Sequence, residues 1–121
     1  MTQEEKQLLL QDLCARLPYK VKVEVCVKDK NIKSIDCVKY DTVGTYIRLM
    51  DDENFSIKPY LRQISSMTED EKIEWFESVV QTMDCDKQLD FYCKHNFDYR
   101  GLIEKGLALE APKGMYNTKT E

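Results

Sequence analysis

Between Pro18 and the polar run Asp29-Lys30-Asn31 the chain alternates: Tyr19, Val21, Val23, Val25 and Val27 fall on one side, and Lys20, Lys22, Glu24, Cys26 and Lys28 on the other. A side-chain period of two, with valine on one side and mostly charge on the other, suits a strand that rests one face on a core and turns the other to water. A helix would scatter the same valines around its whole circumference. Such a strand needs sheet partners along its edges and a covering layer on its valine face, so the flanking segments must supply both.

Asp29, Lys30 and Asn31 have the chemistry of a hairpin loop, with Asn31 able to take the left-handed conformation that closes it. The return strand is expected over about Ile32 to Tyr40. Ile35 and Val38 are three apart and cannot both face inward on a regular strand, which predicts either a bulge near Asp36 and Cys37 or a register that exposes one of the two. Turns at Asp41 to Gly44 and at DDEN, 51 to 54, then lead into two further expected strands, Thr45 to Met50 and Phe55 to Tyr60. Pro59 should mark the end or an edge of the sheet, because it has no amide proton for a ladder.

Helices are expected on both sides of this region. Thr2 and Glu5 form a capping box, and Leu9, Leu10, Leu13, Cys14 and Leu17 follow on one face until Pro18, predicting a helix over 3–16. Thr68 and Glu71 open a second helix, 69–83, whose stripe Ile73, Phe76, Val80 and Met83, widened by Trp75 and Val79, should pack on the sheet. A third helix, 87–95, would be capped by Asp84 or Asp86 and carry Leu89, Tyr92 and Cys93 on one side. The segment 97–116 is rich in apolar residues, yet Gly101, Gly106, Pro112 and Gly114 interrupt it too often for a long helix or strand, so it reads as an irregular tail docked on the core; NTKTE after it reads as frayed. The expected fold is thus a single α+β domain over 1–121, with a four-stranded antiparallel meander spanning 19–60; a small SH3-like barrel with appended helices is the alternative.

Composition narrows the function classes. At 121 residues the chain can bury a core without disulfides or metal, and a net charge of −4 disfavours a general nucleic-acid binder. Cys14, Cys26, Cys37, Cys85 and Cys93 are odd in number and include no C-x-x-C pair, so reduced thiols are expected, with a Cys26–Cys37 bridge across the hairpin as the weaker alternative. No apolar run approaches the roughly 20 residues that span a bilayer. The acidic, polar start TQEEKQ does not read as a signal peptide, and a cytoplasmic location is expected.

Three stretches, LLLQDLCARLPYKVKV near the start, IKPYLRQISSMTEDEK in the middle and HNFDYRGLIEKGLALEAPKGMY near the end, resemble a family of short uncharacterised proteins encoded by Bacteroides-type gut bacteria and by their phages and other mobile elements. The resemblance implies a compact domain and a cellular setting, and no mechanism. Relative to that family's pattern, Lys20 stands where glycine is common and Asn96 where a second histidine is common.

No catalytic, cofactor-binding or metal-ligating set emerges. His95 is the single histidine, there is no glycine-rich phosphate loop or nucleophile elbow, and Cys93 and His95, two apart on a helix, would point to different sides. Two surfaces remain as candidates. Lys20, Lys22, Lys28, Lys30, Lys33 and Lys39 cluster on or near the first hairpin and, with Tyr46 or Tyr60 beside them, could hold single-stranded nucleic acid, although lysines also keep an exposed strand from edge pairing. Asp98, Tyr99 and Arg100 precede Gly101 at a turn and serve either as an interface anchor or as an internal clamp on the tail. The favoured expectation is a non-enzymatic protein-binding or regulatory accessory module whose partner is another protein; the alternative is a nucleic-acid-binding module using the lysine face.

Overall fold

The structure is a computed structural model and describes residues 2–116; the frayed end expected at NTKTE lies outside them. It is an α+β fold with helices α1 (Gln3–Ala15), α2 (Val43–Met50), α3 (Glu69–Trp75) and α4 (Cys85–Lys94) and strands β1 (Lys22–Val27), β2 (Ile32–Cys37), β3 (Phe55–Leu61) and β4 (Leu109–Glu110). The strands form one sheet in the order β2-β1-β3-β4. β1 pairs antiparallel with both β2 and β3, whereas β3 and β4 run parallel, so the sheet is mixed.

The first helix and the first hairpin follow their sequence signals. Thr2 and Glu5 exchange both hydrogen bonds of the capping box, and α1 buries Leu9 and Leu13. Val23 and Val25 on the valine face of β1, and Val21 just before the strand, lie in the core, and Asn31 closes the hairpin at φ 52°. The register from Lys22 opposite Cys37 to Val27 opposite Ile32 contains no bulge. Ile35 is instead turned to solvent while Val38 is fully buried, the second of the two expected solutions. The same register places Cys26 opposite Lys33, four residues along the strand from Cys37, and all five cysteines are free thiols.

The expected third strand, Thr45–Met50, is helix α2. Valine, isoleucine, threonine and tyrosine favour strands, but Val43, Tyr46, Leu49 and Met50 recur at helical spacing, and that periodicity prevails because the face they form meets the core. The meander therefore loses one strand, and its place is taken by β4, two residues of the tail laid along the end of β3. Pro59 sits inside β3, opposite Val23, rather than at its end. The amide of Lys28 bonds the Asn54 carbonyl, and counting alternate pairs from there leaves Pro59 at a position whose missing N–H faces away from β1. On that side β4 pairs only from Tyr60 onward, so no ladder bond is lost.

The main core lies between one face of the sheet and a layer made of α1, α2 and tail residues Leu102, Leu107 and Ala108. A smaller cluster, Val79, Phe91 and Phe97 with Met67, Trp75 and Tyr92 against it, joins α3 and α4. It is thus α1 and α2, and not the helix at 69–83, that cover the sheet. The tail is docked along much of its length: Phe97 and Leu102 are fully buried, and Arg62 at the end of β3 bonds the Asn96 carbonyl and the Asp98 amide on either side of Phe97, each at 2.8 Å. The sheet stays open, which excludes the barrel alternative.

Candidate interaction surface

The helical pair that follows β3 is held by a chain of charges. Thr68 and Glu71 close a second capping box, and the Glu71 carboxylate, almost fully buried, accepts two hydrogen bonds from the Arg62 guanidinium at 2.7 and 2.8 Å. Burial alone would raise the Glu71 carboxyl; the Arg62 hydrogen bonds, the Thr68 amide and the positive charge of Arg62 outweigh it and hold the group below the ordinary glutamate value. His95, at the end of α4, places Nδ1 3.2 Å from Glu71 and Nε2 3.1 Å from Glu74, and Lys94 donates to Glu74 at 3.1 Å. Arg62 also lies 4.4 Å over the Phe97 ring, which ties the pair to the start of the tail.

After Trp75 the helix widens into a π turn, Phe76–Val80, in which the Gln81 amide reaches back five residues to the Phe76 carbonyl. Such turns are uncommon and are often kept where a side chain has to be re-aimed. Here the inward side carries Glu71, Trp75 and Val79: Val79 packs in the small cluster, and Trp75 stacks on Tyr92 at 5.3 Å and meets Phe91 edge-on at 5.4 Å. The stripe expected to pack on the sheet faces the other way. Ile73 is 58% exposed, Phe76 53%, Val80 45% and Met83 87%. The reason is electrostatic as much as apolar: Glu71 can be buried only where Arg62 neutralises it, and that pairing fixes which side of the helix turns inward.

α4 is longer at its start than expected. Asp84 accepts from the amides of Asp86 and Lys87, so the helix begins at Cys85; its buried side holds Phe91 and Cys93, while Leu89 is exposed. Cys93 and His95 are not brought together. The Cys93 thiol, pushed up by burial, lies 3.8 Å from the Tyr99 hydroxyl, and His95 is engaged by the two glutamates.

Asp98, Tyr99 and Arg100 all engage the fold internally. Asp98 receives the amides of Leu102 and Ile103 at 2.8 and 2.9 Å, so its carboxylate shapes the turn at Gly101, where φ is 72°. Tyr99 stacks on Tyr92 at 5.4 Å with the Arg100 guanidinium 4.9 Å over its ring. Arg100 Nε lies 3.3 Å from Asp12 Oδ1, near enough for an ion pair but off the hydrogen-bond axis. Each of the three remains half-buried rather than projecting.

The six lysines do not share one face. Lys20 precedes β1 and is held at φ 54° after a short 3₁₀ turn, Leu17–Tyr19. Lys22 is half-buried, donates from Nζ to the Met115 carbonyl and lies 5.9 Å from the Tyr116 ring. Lys28 and Lys30 are in the hairpin loop, Lys33 is on the edge strand β2, and Lys39 lies beyond it. Tyr46 and Tyr60, the expected stacking partners, are both buried, and burial raises both hydroxyls above the ordinary tyrosine value. A surface groove of about 800 Å³ beside this region mixes Glu5, Asp52 and Glu53 with Lys6, Lys28 and Lys58, and so has no single sign of charge.

Comparisons with protein-family models, with curated proteins and with solved structures give no match to this chain. The exposed stripe was visible in the sequence as a stripe, and its outward orientation was not. Of the two arginines that order the interior, Arg62 carries no local signal, because its partner is Glu71, and Arg16 carries only its spacing from Asp12 one turn earlier, which gives no hint of its bond to the distant Phe97 carbonyl.

Proposed function

We propose that this chain is a non-enzymatic protein-binding module, and that the surface it uses is the outward stripe Ile73, Phe76, Val80 and Met83 rather than the Asp98-Tyr99-Arg100 turn. The observation that carries the reading is the stripe's exposure. Isolated exposed apolar residues are ordinary, but Ile73, Phe76 and Val80 on one small helix, with Met83 exposed in the turn just past its end at φ 52°, are more large apolar side chains than a solvated surface otherwise favours. The π turn supports the same reading, since it sits within the stripe. The internal engagement of Asp98, Tyr99 and Arg100 favours the clamp role for that turn. The nucleic-acid alternative is weakened by the burial of both candidate stacking tyrosines and by the dispersal of the lysines. The setting, an accessory protein of a phage or mobile element of gut bacteria, rests on the sequence resemblance alone.

The test is affinity capture from a Bacteroides-type host lysate treated with nuclease, run in parallel with wild-type protein and with Phe76→Ser and Met83→Ser. The expected result is a stoichiometric protein recovered by the wild type and lost by both variants at unchanged melting temperature. Equal recovery by all three proteins, or a yield that disappears with nuclease, overturns the reading.

A further inference from the structure

The charges around the stripe point to the chemistry of what covers it. Between Glu69 and Lys87 the exposed acids Glu69, Asp70, Glu77 and Asp86 outnumber the exposed lysines Lys72 and Lys87, and Lys72 is already paired with Glu69 at 3.3 Å. Lys94 and His95 are both engaged by Glu74, each at 3.1 Å, so neither adds an unpaired positive charge beside the stripe. A second copy of the chain laid on this surface by a two-fold axis would bring the same acids against one another, and like charges juxtaposed at a rim cost affinity. The whole chain carries a net charge of −4, so long-range attraction also favours a cationic partner over a copy of itself.

The geometry is equally specific. Ile73 lies at the end of α3, Phe76 and Val80 in the π turn and Met83 in the turn that follows, at φ 52°, so the helix expected over 69–83 stops at Val80 and its exposed apolar residues cover roughly two helical turns, over which a partner helix presents apolar residues at i, i+3 or i+4, and i+7. We propose, building on the protein-binding reading, that the stripe Ile73, Phe76, Val80 and Met83 docks a basic amphipathic helix of another protein, its apolar face on the stripe and its lysines or arginines against Asp70 and Glu77. The apolar contact supplies most of the affinity, and the acidic rim sets the sign of the partner and speeds its approach.

Two synthetic peptides test this: one of about four turns with leucines at helical spacing and lysines elsewhere, and a twin in which glutamates replace the lysines. Binding to the full chain is read by anisotropy of labelled peptide at low and physiological salt, against wild type, Phe76→Ser, Met83→Ser and the double variant Asp70→Asn, Glu77→Gln. The expected result is that the lysine peptide binds at least tenfold more tightly than its twin. Either serine substitution should weaken it about tenfold, and the rim variant should reduce both its affinity and its salt dependence. Three outcomes overturn the proposal: equal binding of both peptides, lysine-peptide binding that survives the serine substitutions, or a wild-type dimer that Phe76→Ser dissociates. If the peptide result is negative while the lysate partner is still lost from Phe76→Ser, only the basic-helix assignment fails. If the lysate partner survives Phe76→Ser, the protein-binding reading of the stripe fails with it.

Discussion

The Tyr116 hydroxyl donates to the Tyr60 carbonyl at 2.6 Å and accepts from the Lys22 amide at 2.9 Å. The register of β1 on β3 ends at Val23 opposite Pro59 and would next pair Lys22 with Tyr60. At that point the tyrosine oxygen stands in for the ladder bond, so the end of the tail completes the sheet that the tail covers. One side chain thus satisfies two backbone groups, which adds a polar anchor to the apolar docking of the tail.

Tyr116→Phe should therefore leave the Lys22 amide and the Tyr60 carbonyl without their partner and cost about 1–3 kcal/mol, read by urea denaturation at neutral pH. Burial pushes the Tyr116 hydroxyl up to about 12. A group whose folded value is raised stabilises the fold fully below its unfolded value and loses that contribution as pH rises through the folded one. The wild type should accordingly lose stability between the ordinary tyrosine value near pH 10 and about pH 12, and the gap between wild type and Tyr116→Phe should close over the same window. Tyr19, raised to about 12 mainly by its hydrogen bond to Asp90, titrates in both proteins and cancels in the comparison. A gap that stays constant to high pH would show that the hydroxyl is not buried in this bond.

Arg16 is fully buried; it makes two hydrogen bonds to Asp12 at 2.8 and 3.1 Å and one to the Phe97 carbonyl at 2.6 Å, joining the end of α1 to the first residue of the tail. Arg16→Met should cost about 3–5 kcal/mol, because it strands the Asp12 carboxylate inside the fold. Arg100 meets the same carboxylate from the half-exposed side, so Arg100→Ala should cost only about 1–2 kcal/mol. Thermal melts of the two variants decide the order. A larger loss at Arg100 would mean that Asp12 is held from the tail and not from its own helix.

The parts of the fold legible in sequence are those whose determinants lie close together in the chain. The capping boxes at Thr2 with Glu5 and Thr68 with Glu71, the alternating β1 and the left-handed Asn31 each follow from residues within a few positions of one another. What was hidden depends on distant partners. Helix α2 was obscured by strand-favouring side chains, and its identity is set by the core beneath Tyr46. β4 is too short to leave a pattern, and it exists because the tail returns alongside β3. The stripe at 73–83 could be recognised as amphipathic, but a period identifies two faces and does not say which is wet. Arg62, nine residues before Glu71, makes that choice.

The Arg62–Glu71 pair has a pH signature of its own. Glu71 is held below the ordinary glutamate value, so its stabilising contribution is full above that value and is lost as pH falls through the lower, folded one. Glu71→Gln retains a capping oxygen but removes the charge, and at neutral pH it should cost about 3 kcal/mol by leaving Arg62 without its carboxylate. Urea denaturation at descending pH should bring the wild type down towards the variant below the ordinary glutamate range. Parallel curves throughout would mean that the carboxylate is not the partner Arg62 needs.

The last prediction concerns which face of the helix at 69–80 carries the fold and which is free to act. Phe91 packs in the small core against Trp75, Tyr92 and Phe97, with ring centroids 5.4, 6.3 and 6.0 Å away, so Phe91→Ala should cost about 3–5 kcal/mol. Phe76, of the same residue type, is more than half exposed, and Phe76→Ser should change stability by no more than about 0.5 kcal/mol. The contrast matters for function because a surface residue that contributes nothing to folding can be removed without confounding a binding measurement. Matched denaturation curves of the two variants are the check. If Phe76→Ser unfolds the protein as Phe91→Ala does, the stripe is core, the helix is turned inward in solution, and the docking surface argued from its exposure does not exist.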